Sequence, residues 1–302
     1  MHAQHRSGIE YLEAVTTLTQ RVRAAHPTAG QYEAADFQWW WRTPRPTDEL
    51  PQPFWFDDSG RPEAAVIATD WGGEIALAPI FMPDVPPDWV EHVVEGGLEH
   101  FAELGIDSVD LEVDRDDAVM RDVLTGNGFT AEADGRDGTT ASHSVVEAWL
   151  AAAARPEISP LHEDYRLCSR LDTAARPHHM TKRGGPGVAQ RLGQTSLYRP
   201  DLDLVVLDGD DEYAAYSLFW HDPTTNTGLV EPMRTEEDHQ RRGLGRHLLT
   251  TGLDLLAKAG AERIKICFEP GNPAARDLYL SVGFEPDRHT VILFRGAAPQ
   301  PS

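Results

Sequence analysis

The chain has 302 residues, with 27 Lys and Arg against 49 Asp and Glu and a formal net charge of −22. That excess argues against a nucleic-acid binder, whose affinity for phosphates comes from clustered positive charge. The imbalance is uneven: residues 1–150 hold 9 basic and 28 acidic side chains, net −19, and the remainder holds 18 and 21, net −3. At ~100–200 residues per domain the length predicts two domains. The expected division is 1–150 and 151–302, where Ala151–Ala154 followed by Arg155-Pro156 reads as a helix end passing into a linker.

In chain order, Ile9, Leu12, Val15, Leu18 and Val22 recur at helical spacing. Glu10, Glu13, Arg21 and Arg23 interrupt them, which a secretory segment would not tolerate. No window approaches the ~18 uninterrupted apolar residues of a membrane span. Glu63–Ile67 reads as a strand, and the two cysteines, Cys168 and Cys267, make neither a CxxC pair nor a disulfide framework. A cytoplasmic protein is the expectation.

Residues 98–129 overlay residues 253–284 at an offset of 155 without a gap. Leu98, Ala102, Gly105, Arg121, Asp122, Gly128 and Phe129 match Leu253, Ala257, Gly260, Arg276, Asp277, Gly283 and Phe284. Each copy reads as a helix ending at glycine, a short strand (Ser108–Val113 or Arg263–Phe268) and a helix closed by Gly-Phe. The second half reads as strands at Asp203–Leu207, Glu212–Trp220 and Gly228–Arg234, a helix from Gly243 to Lys258, a strand, a helix, and a last strand at His289–Phe294. Antiparallel hairpins followed by a βαβ unit predict an α/β fold with a mixed, mainly antiparallel sheet flanked by helices, twice in tandem.

The segment Gln240-Arg241-Arg242-Gly243-Leu244-Gly245-Arg246 joins a predicted strand to a predicted helix. Glycines there let successive N–H groups converge on an anion, and the helix start adds unpaired donors and its positive dipole end. The alternative is an ordinary helix N-terminus with a basic first turn. The segment resembles motif A of the GNAT superfamily of acyl-CoA N-acyltransferases, Gln/Arg-x-x-Gly-x-Gly/Ala, through Gln240, Gly243 and Gly245. The family's next block is similar to Asn272, Ala275, Leu278-Tyr279 and Gly283-Phe284, so the resemblance covers about 157–294.

The resemblance implies acetyl-CoA as co-substrate. Met233, Arg234 and Thr235 would line pantetheine on a splayed strand, the amides of Arg241, Arg242, Gly243, Leu244, Gly245 and Arg246 would hold pyrophosphate, and Asn272 would contact the thioester arm. Tyr279 would protonate the departing thiolate; its alternative is a core aromatic. By strand alternation Glu231 shares a face with Met233 and Thr235, which makes it the candidate base. Pro232 after it suits a splayed strand or a strand end, and His221-Asp222 is a second candidate base or a turn pair.

Subtracting 155 from the phosphate loop gives Val85-Pro86-Pro87-Asp88-Trp89-Val90, without glycine, and places Leu124 and Asp117 against Tyr279 and Asn272. A degenerate first domain without a phosphate loop is expected, in a tandem arrangement that resembles mycothiol synthase-like proteins. Seven of the eight tryptophans lie in this half; the run Trp39-Trp40-Trp41 cannot all point one way, so one must meet a neighbouring surface. His178-His179 lacks the helical spacing of metal ligands, so no metal is expected; residues 178–187 read as an exposed or lid-like loop, which the resemblance to the family implies is the acceptor-binding loop.

The expected activity is acetyl transfer to a primary amine of a small molecule, by direct attack in a ternary complex. Cationic acceptors would suit the acidic half. The alternative is a non-catalytic acetyl-CoA-binding sensor or interaction module. No nucleic-acid or membrane partner is expected, and the protein would be a monomer or homodimer.

Overall fold

Strand and helix periodicities of the sequence are realised in the computed structural model, which describes residues 2–131 and 144–296. The elements, in chain order, are β1 (His2–Arg6), α1 (Gly8–Ala25), α2 (Ala34–Trp40), β2 (Gln52–Phe56), β3 (Pro62–Asp70), β4 (Ile75–Phe81), α3 (Pro87–Glu103), β5 (Val109–Asp114), α4 (Ala118–Gly126), β6 (Thr130–Ala131) and β7 (Val146–Ala151). They continue with β8 (Arg166–Ser169), α5 (Thr181–Gly184), α6 (Val188–Leu192), β9 (Asp203–Leu207), β10 (Tyr213–Asp222), β11 (Thr227–Thr235), α7 (Leu244–Ala259), β12 (Arg263–Phe268), α8 (Pro273–Ser281) and β13 (Glu285–Arg295). Among the described residues no helix is long and apolar enough to cross a membrane.

The chain forms two compact units that are not its two halves. The first holds residues 1–37, 45–146 and 288–302; the second holds 38–44 and 147–287. Thus most of β7 counts with the second unit and most of β13 with the first. Ala151 ends a strand, followed by a 3-10 turn at Ala152–Ala154, where the sequence had suggested a helix end.

In the first unit the strand order is β1-β2-β3-β4-β5-β13, with β6 against β13. The pairings are antiparallel except β4 with β5, which are parallel. Val66, Leu77, Val93, Leu98, Phe101, Leu111 and Leu124 form its core. Gly97 lets α3 press on β3: a Cβ there would stand 2.7 Å from Val66 Cγ2.

In the second unit the order is β7-β12-β11-β10-β9-β8. Strands β8 to β11 pair antiparallel, and β11 pairs parallel with β12. Helix α7 buries Leu248, Leu249, Leu253 and Leu256, and Gly252 lets it press so closely that a Cβ would collide with the Phe219 ring. The Trp39–Trp41 segment belongs here. Trp41 Nε1 donates to Gln194 Oε1 at 2.9 Å, Arg191 lies 3.7 Å over the Trp41 ring, and Gln38 donates to Ser196 and accepts from the Leu197 amide.

Candidate active site

Strand β11 stays on β10 as far as Thr235, whereas its pairing with β12 ends at Val230↔Ile266. The edge of β11 toward β12 is therefore unpaired by β12 from Glu231 onward. Between Val230 and Met233 the chain carries one residue more than β10 does between Phe219 and Ser217, a bulge at Glu231-Pro232. The alternation argument that put Glu231 on one face with Met233 and Thr235 assumed a regular strand; the bulge breaks that regularity between Glu231 and Met233, because proline has no N–H to continue the ladder. The Glu231 carbonyl accepts from Trp220 Nε1 at 2.7 Å, and the Pro232 carbonyl from Ser217 Oγ at 2.9 Å.

Beyond β11 the chain enters α7 through Arg241 (φ 62°) and Gly243 (φ 78°), both left-handed. Gly243 caps the helix without a side-chain bond, and the space about its absent Cβ is open. Among the described residues no acceptor meets the amides of Arg241, Arg242, Gly243, Leu244, Gly245 and Arg246; the first amide past them to find one is His247, at the Gly243 carbonyl. Six consecutive amides without an acceptor stand at the positive end of a 16-residue helix, an arrangement whose geometry suits an anion. Gly245 lies close to β11, its would-be Cβ 3.3 Å from Met233 Cε and 3.5 Å from Thr235 Oγ1. Buried Leu244 anchors the turn. The Arg246 guanidinium holds Ser281 Oγ at 2.7 Å and Ser159 Oγ at 3.2 Å, while Arg241 and Arg242 are exposed. Gln240 reaches the Thr235 carbonyl at 3.5 Å, and Arg234 lies 3.5 Å from Glu236.

Tyr279 is buried on α8, with Phe268 and Phe284 ring centroids 6.0 and 6.4 Å away. Its hydroxyl has no hydrogen-bond partner among the described residues. Burial first, then the charges of Glu231 and Cys267, push its pKa up to about 12. Glu231 and Tyr279 are thus electrostatic neighbours, and Cys267, the residue after the last β11-paired position of β12, joins them. The residues flanking Cys267 in sequence give it no role; its place one residue beyond the parting of the strands is a tertiary fact. Asn272 caps α8 by accepting from the Ala275 amide at 3.1 Å, so its carbonyl oxygen is spent on the helix and its amide nitrogen remains for a ligand. His221 is buried, its Nε2 unpartnered, and burial lowers its pKa.

The second unit also holds a cavity of about 750 Å³ whose walls include His179, Tyr213, Tyr216, Arg183, Arg234 and Glu236. Arg183 makes a bidentate pair with Glu236 at 2.7 and 2.8 Å. The expected exposed loop is partly interior: His178 and His179 are buried, and with Asp203, 24 residues beyond His179, they bring ligand atoms within 4.8 Å of one another. Asp203 escaped the sequence reading because its partners are distant in the chain.

Residues 163–284 match the family model described as Acetyltransferase (GNAT) family. Two mycothiol acetyltransferases are similar. That of Beutenbergia cavernae is 34% identical over 96 residues, 32% of this chain and 32% of that protein; that of Tsukamurella paurometabola is 33% identical over 129 residues, 39% of this chain and 44% of that protein. The chain therefore matches less than half the length of either. Among solved structures, a tandem GNAT protein from the clavulanic acid biosynthesis pathway superposes with a TM-score of 0.72 at 13% identity over 99% of both chains. A GCN5-related N-acetyltransferase from Sphaerobacter thermophilus gives 0.62 at 13% identity over 99% of this chain and 97% of its own. These two likenesses establish the fold, α/β with tandem units. The parted strand, the run of open amides and the match to the Acetyltransferase (GNAT) family model coincide on one stretch of sequence, residues 163–284.

Proposed function

We propose that the second unit moves the acetyl group of acetyl-CoA to a primary amine of a small molecule by direct attack. The observation that carries this reading is the run of six acceptorless amides opening α7 beside the unpaired edge of β11. Those amides suit a pyrophosphate, and the free edge at Met233, Arg234 and Thr235 suits the amides of a pantetheine arm. Acetyl-CoA, when bound, supplies an activated thioester and a thiol leaving group.

Tyr279 keeps its proton through the neutral range, its pKa pushed up to about 12, and is the general acid for the departing sulfur. The burial that discourages its anion also discourages a bare thiolate beside it, so the proton moves as charge develops on sulfur. Glu231, close enough to act on the same phenol, is the base that takes the amine's proton. Asn272 offers its side-chain N–H groups at the mouth of α8. The cavity walled by His179, Tyr213 and Tyr216 adjoins β11 through Arg234 and is the acceptor pocket.

The first unit has lost its phosphate grip. Its α3 opens with Pro86-Pro87-Asp88, two residues without N–H and a carboxylate where an anion would sit. Cys168 and Cys267, which form no disulfide, suit a reducing, cytoplasmic setting. Mixing the protein with acetyl-CoA and a panel of primary amines that carry no thiol, and following free thiol, tests the transfer. Tight acetyl-CoA binding with no thiol release for any amine would leave a sensor in its place.

A further inference from the structure

Asp203 is completely buried, and among the described residues no lysine or arginine pairs with it. Its Oδ2 accepts from the Tyr198 hydroxyl at 2.7 Å and faces His178 Nε2 at 3.0 Å. The direction of that second bond is fixed from behind. The Met180 amide points its hydrogen at His178 Nδ1 at 3.2 Å, so Nδ1 carries the lone pair and the ring proton sits on Nε2, donating to Asp203. His178 is satisfied at both nitrogens.

His179 is not. Its ring is buried, stacked on His178 with centroids 4.4 Å apart and tilted against Tyr216 at 4.7 Å. Both ring nitrogens and Asp203 Oδ1 lack a hydrogen-bond partner. Nε2 lies 3.4 Å from Oδ1. The carboxylate's field holds the proton on the nitrogen that faces it, which leaves Nδ1 as a lone pair with nothing to accept from. A buried acceptor left unmade costs ~1–3 kcal/mol, and native folds rarely carry one unless a partner arrives from outside. His179 lines a cavity of about 750 Å³, room for a ligand rather than a single water.

We propose that His179 is the specificity-determining residue of this cavity: its Nδ1, kept unprotonated by the tautomer that Asp203 imposes, accepts a hydrogen bond from an ammonium or hydroxyl donor of the acyl acceptor. The inference rests on the cavity being the acceptor pocket. The chain of control runs from the Met180 amide through His178 and Asp203 to His179, and its product is a neutral acceptor that cannot switch to a donor at neutral pH. Tyr216 adds an aromatic wall whose ring lies 4.7 Å from that of His179, while Arg176 lies 4.8 Å over the Tyr213 ring.

The test uses the full chain with ring-¹⁵N histidine. The expected spectrum assigns the Nε2–H tautomer to His179, and adding ethanolamine, glucosamine, tyramine or spermidine shifts its Nδ1 upfield for at least one probe. Asp203→Asn, whose amide can donate to Nε2, moves the proton to Nδ1 and abolishes that shift. In turnover, His179→Phe raises the acceptor KM by about tenfold or more with kcat and acetyl-CoA KM unchanged, and His179→Gln, which restores a side-chain acceptor, recovers part of the loss. An Nδ1–H tautomer in the wild type, an Nδ1 signal unmoved by every probe, or an unchanged KM in His179→Phe overturns the proposal. Stoichiometric Zn(II) binding that disappears in both His179→Phe and Asp203→Asn also overturns it, because it requires the imidazoles as metal ligands. If no amine is acetylated, the transfer reading fails by itself, and the titration still decides the role of His179.

Discussion

Replacing Tyr279 by phenylalanine separates catalysis from stability. The ring is held by Phe268 and Phe284, and phenylalanine keeps those contacts. The hydroxyl has no hydrogen-bond partner among the described residues, so its loss strands no donor or acceptor in the protein, and the expected change in unfolding free energy is within about 1 kcal/mol. The chemical consequence is larger. General acid catalysis contributes ~10²–10⁴-fold, and a fall of about 100-fold in kcat corresponds to about 2.7 kcal/mol of lost transition-state stabilisation. The acetyl-CoA KM should stay within about threefold, since the cradle at Arg241–Arg246 is untouched. Urea denaturation of both proteins, with single-turnover thiol release, reads the two effects. A variant as stable as the parent that kept kcat within about threefold would refute the role of Tyr279; one that unfolded much earlier would show the hydroxyl to be structural.

Further outcomes follow from the same geometry. Glu231→Gln should lower kcat/KM by about 100-fold while acetyl-CoA affinity persists, and unaltered turnover removes Glu231 as the base. Gly252→Ala drives a methyl into the rigid Phe219 ring and should destabilise by about 3 kcal/mol, the upper range for overpacking, measurable as an earlier denaturation midpoint. Burial lowers His179 from the ordinary 6.5 to about 4 against the opposing pull of Asp203. Between those values the unfolded chain binds the extra proton, so stability rises with pH across that window, is fully present above 6.5 and is lost as pH falls toward 4. At ~1.4 kcal/mol per pH unit the interval is worth about 3 kcal/mol. His179→Phe should flatten that part of the stability–pH profile, and a profile with the same slope would discount the buried imidazole.

What the sequence could reveal was local. Gly243 and Gly245 marked the turn into α7, where Gly243 is left-handed and Gly245 lies close to Met233 and Thr235. Asn272 and Asp117 stood where caps stand, and both accept from the amide three residues on, at 3.1 and 2.9 Å. Hydrophobic alternation marked β12, but it names no partner: nothing in Val146–Ala151 says that this strand belongs with the second unit, or in Glu285–Arg295 that most of it belongs with the first. The interior position of His178 and His179 was hidden for the same reason, since its cause is Asp203 on β9. The bulge at Glu231-Pro232 shows how one proline defeats an alternation argument within three residues.

Both units contain a parallel strand pair that parts, and their helix starts differ. In the first, β4 pairs with β5 only at Ala76↔Asp110 and Leu77↔Leu111 before the strands part; in the second, β11 leaves β12 after Val230↔Ile266. Leu111 and Ile266 stand at the same repeat offset, as do Gly97 and Gly252, the glycines that let α3 and α7 press on their sheets. The first unit holds a cavity of about 310 Å³ walled in part by Pro79, Phe81, Glu112 and Asp114. What separates the units is the helix start: Gly243 at φ 78° with open amides in one, Pro86 at φ −68° followed by Pro87 and Asp88 in the other. Two residues without N–H and a carboxylate make the first helix start a poor partner for an anion. Gly243→Glu therefore makes a sharp test, because it puts a carboxylate among the open amides proposed to hold the pyrophosphate. Calorimetric titration with CoA should then show no residual binding; a remaining site of unchanged affinity would mean that the first unit holds the cofactor without a phosphate loop.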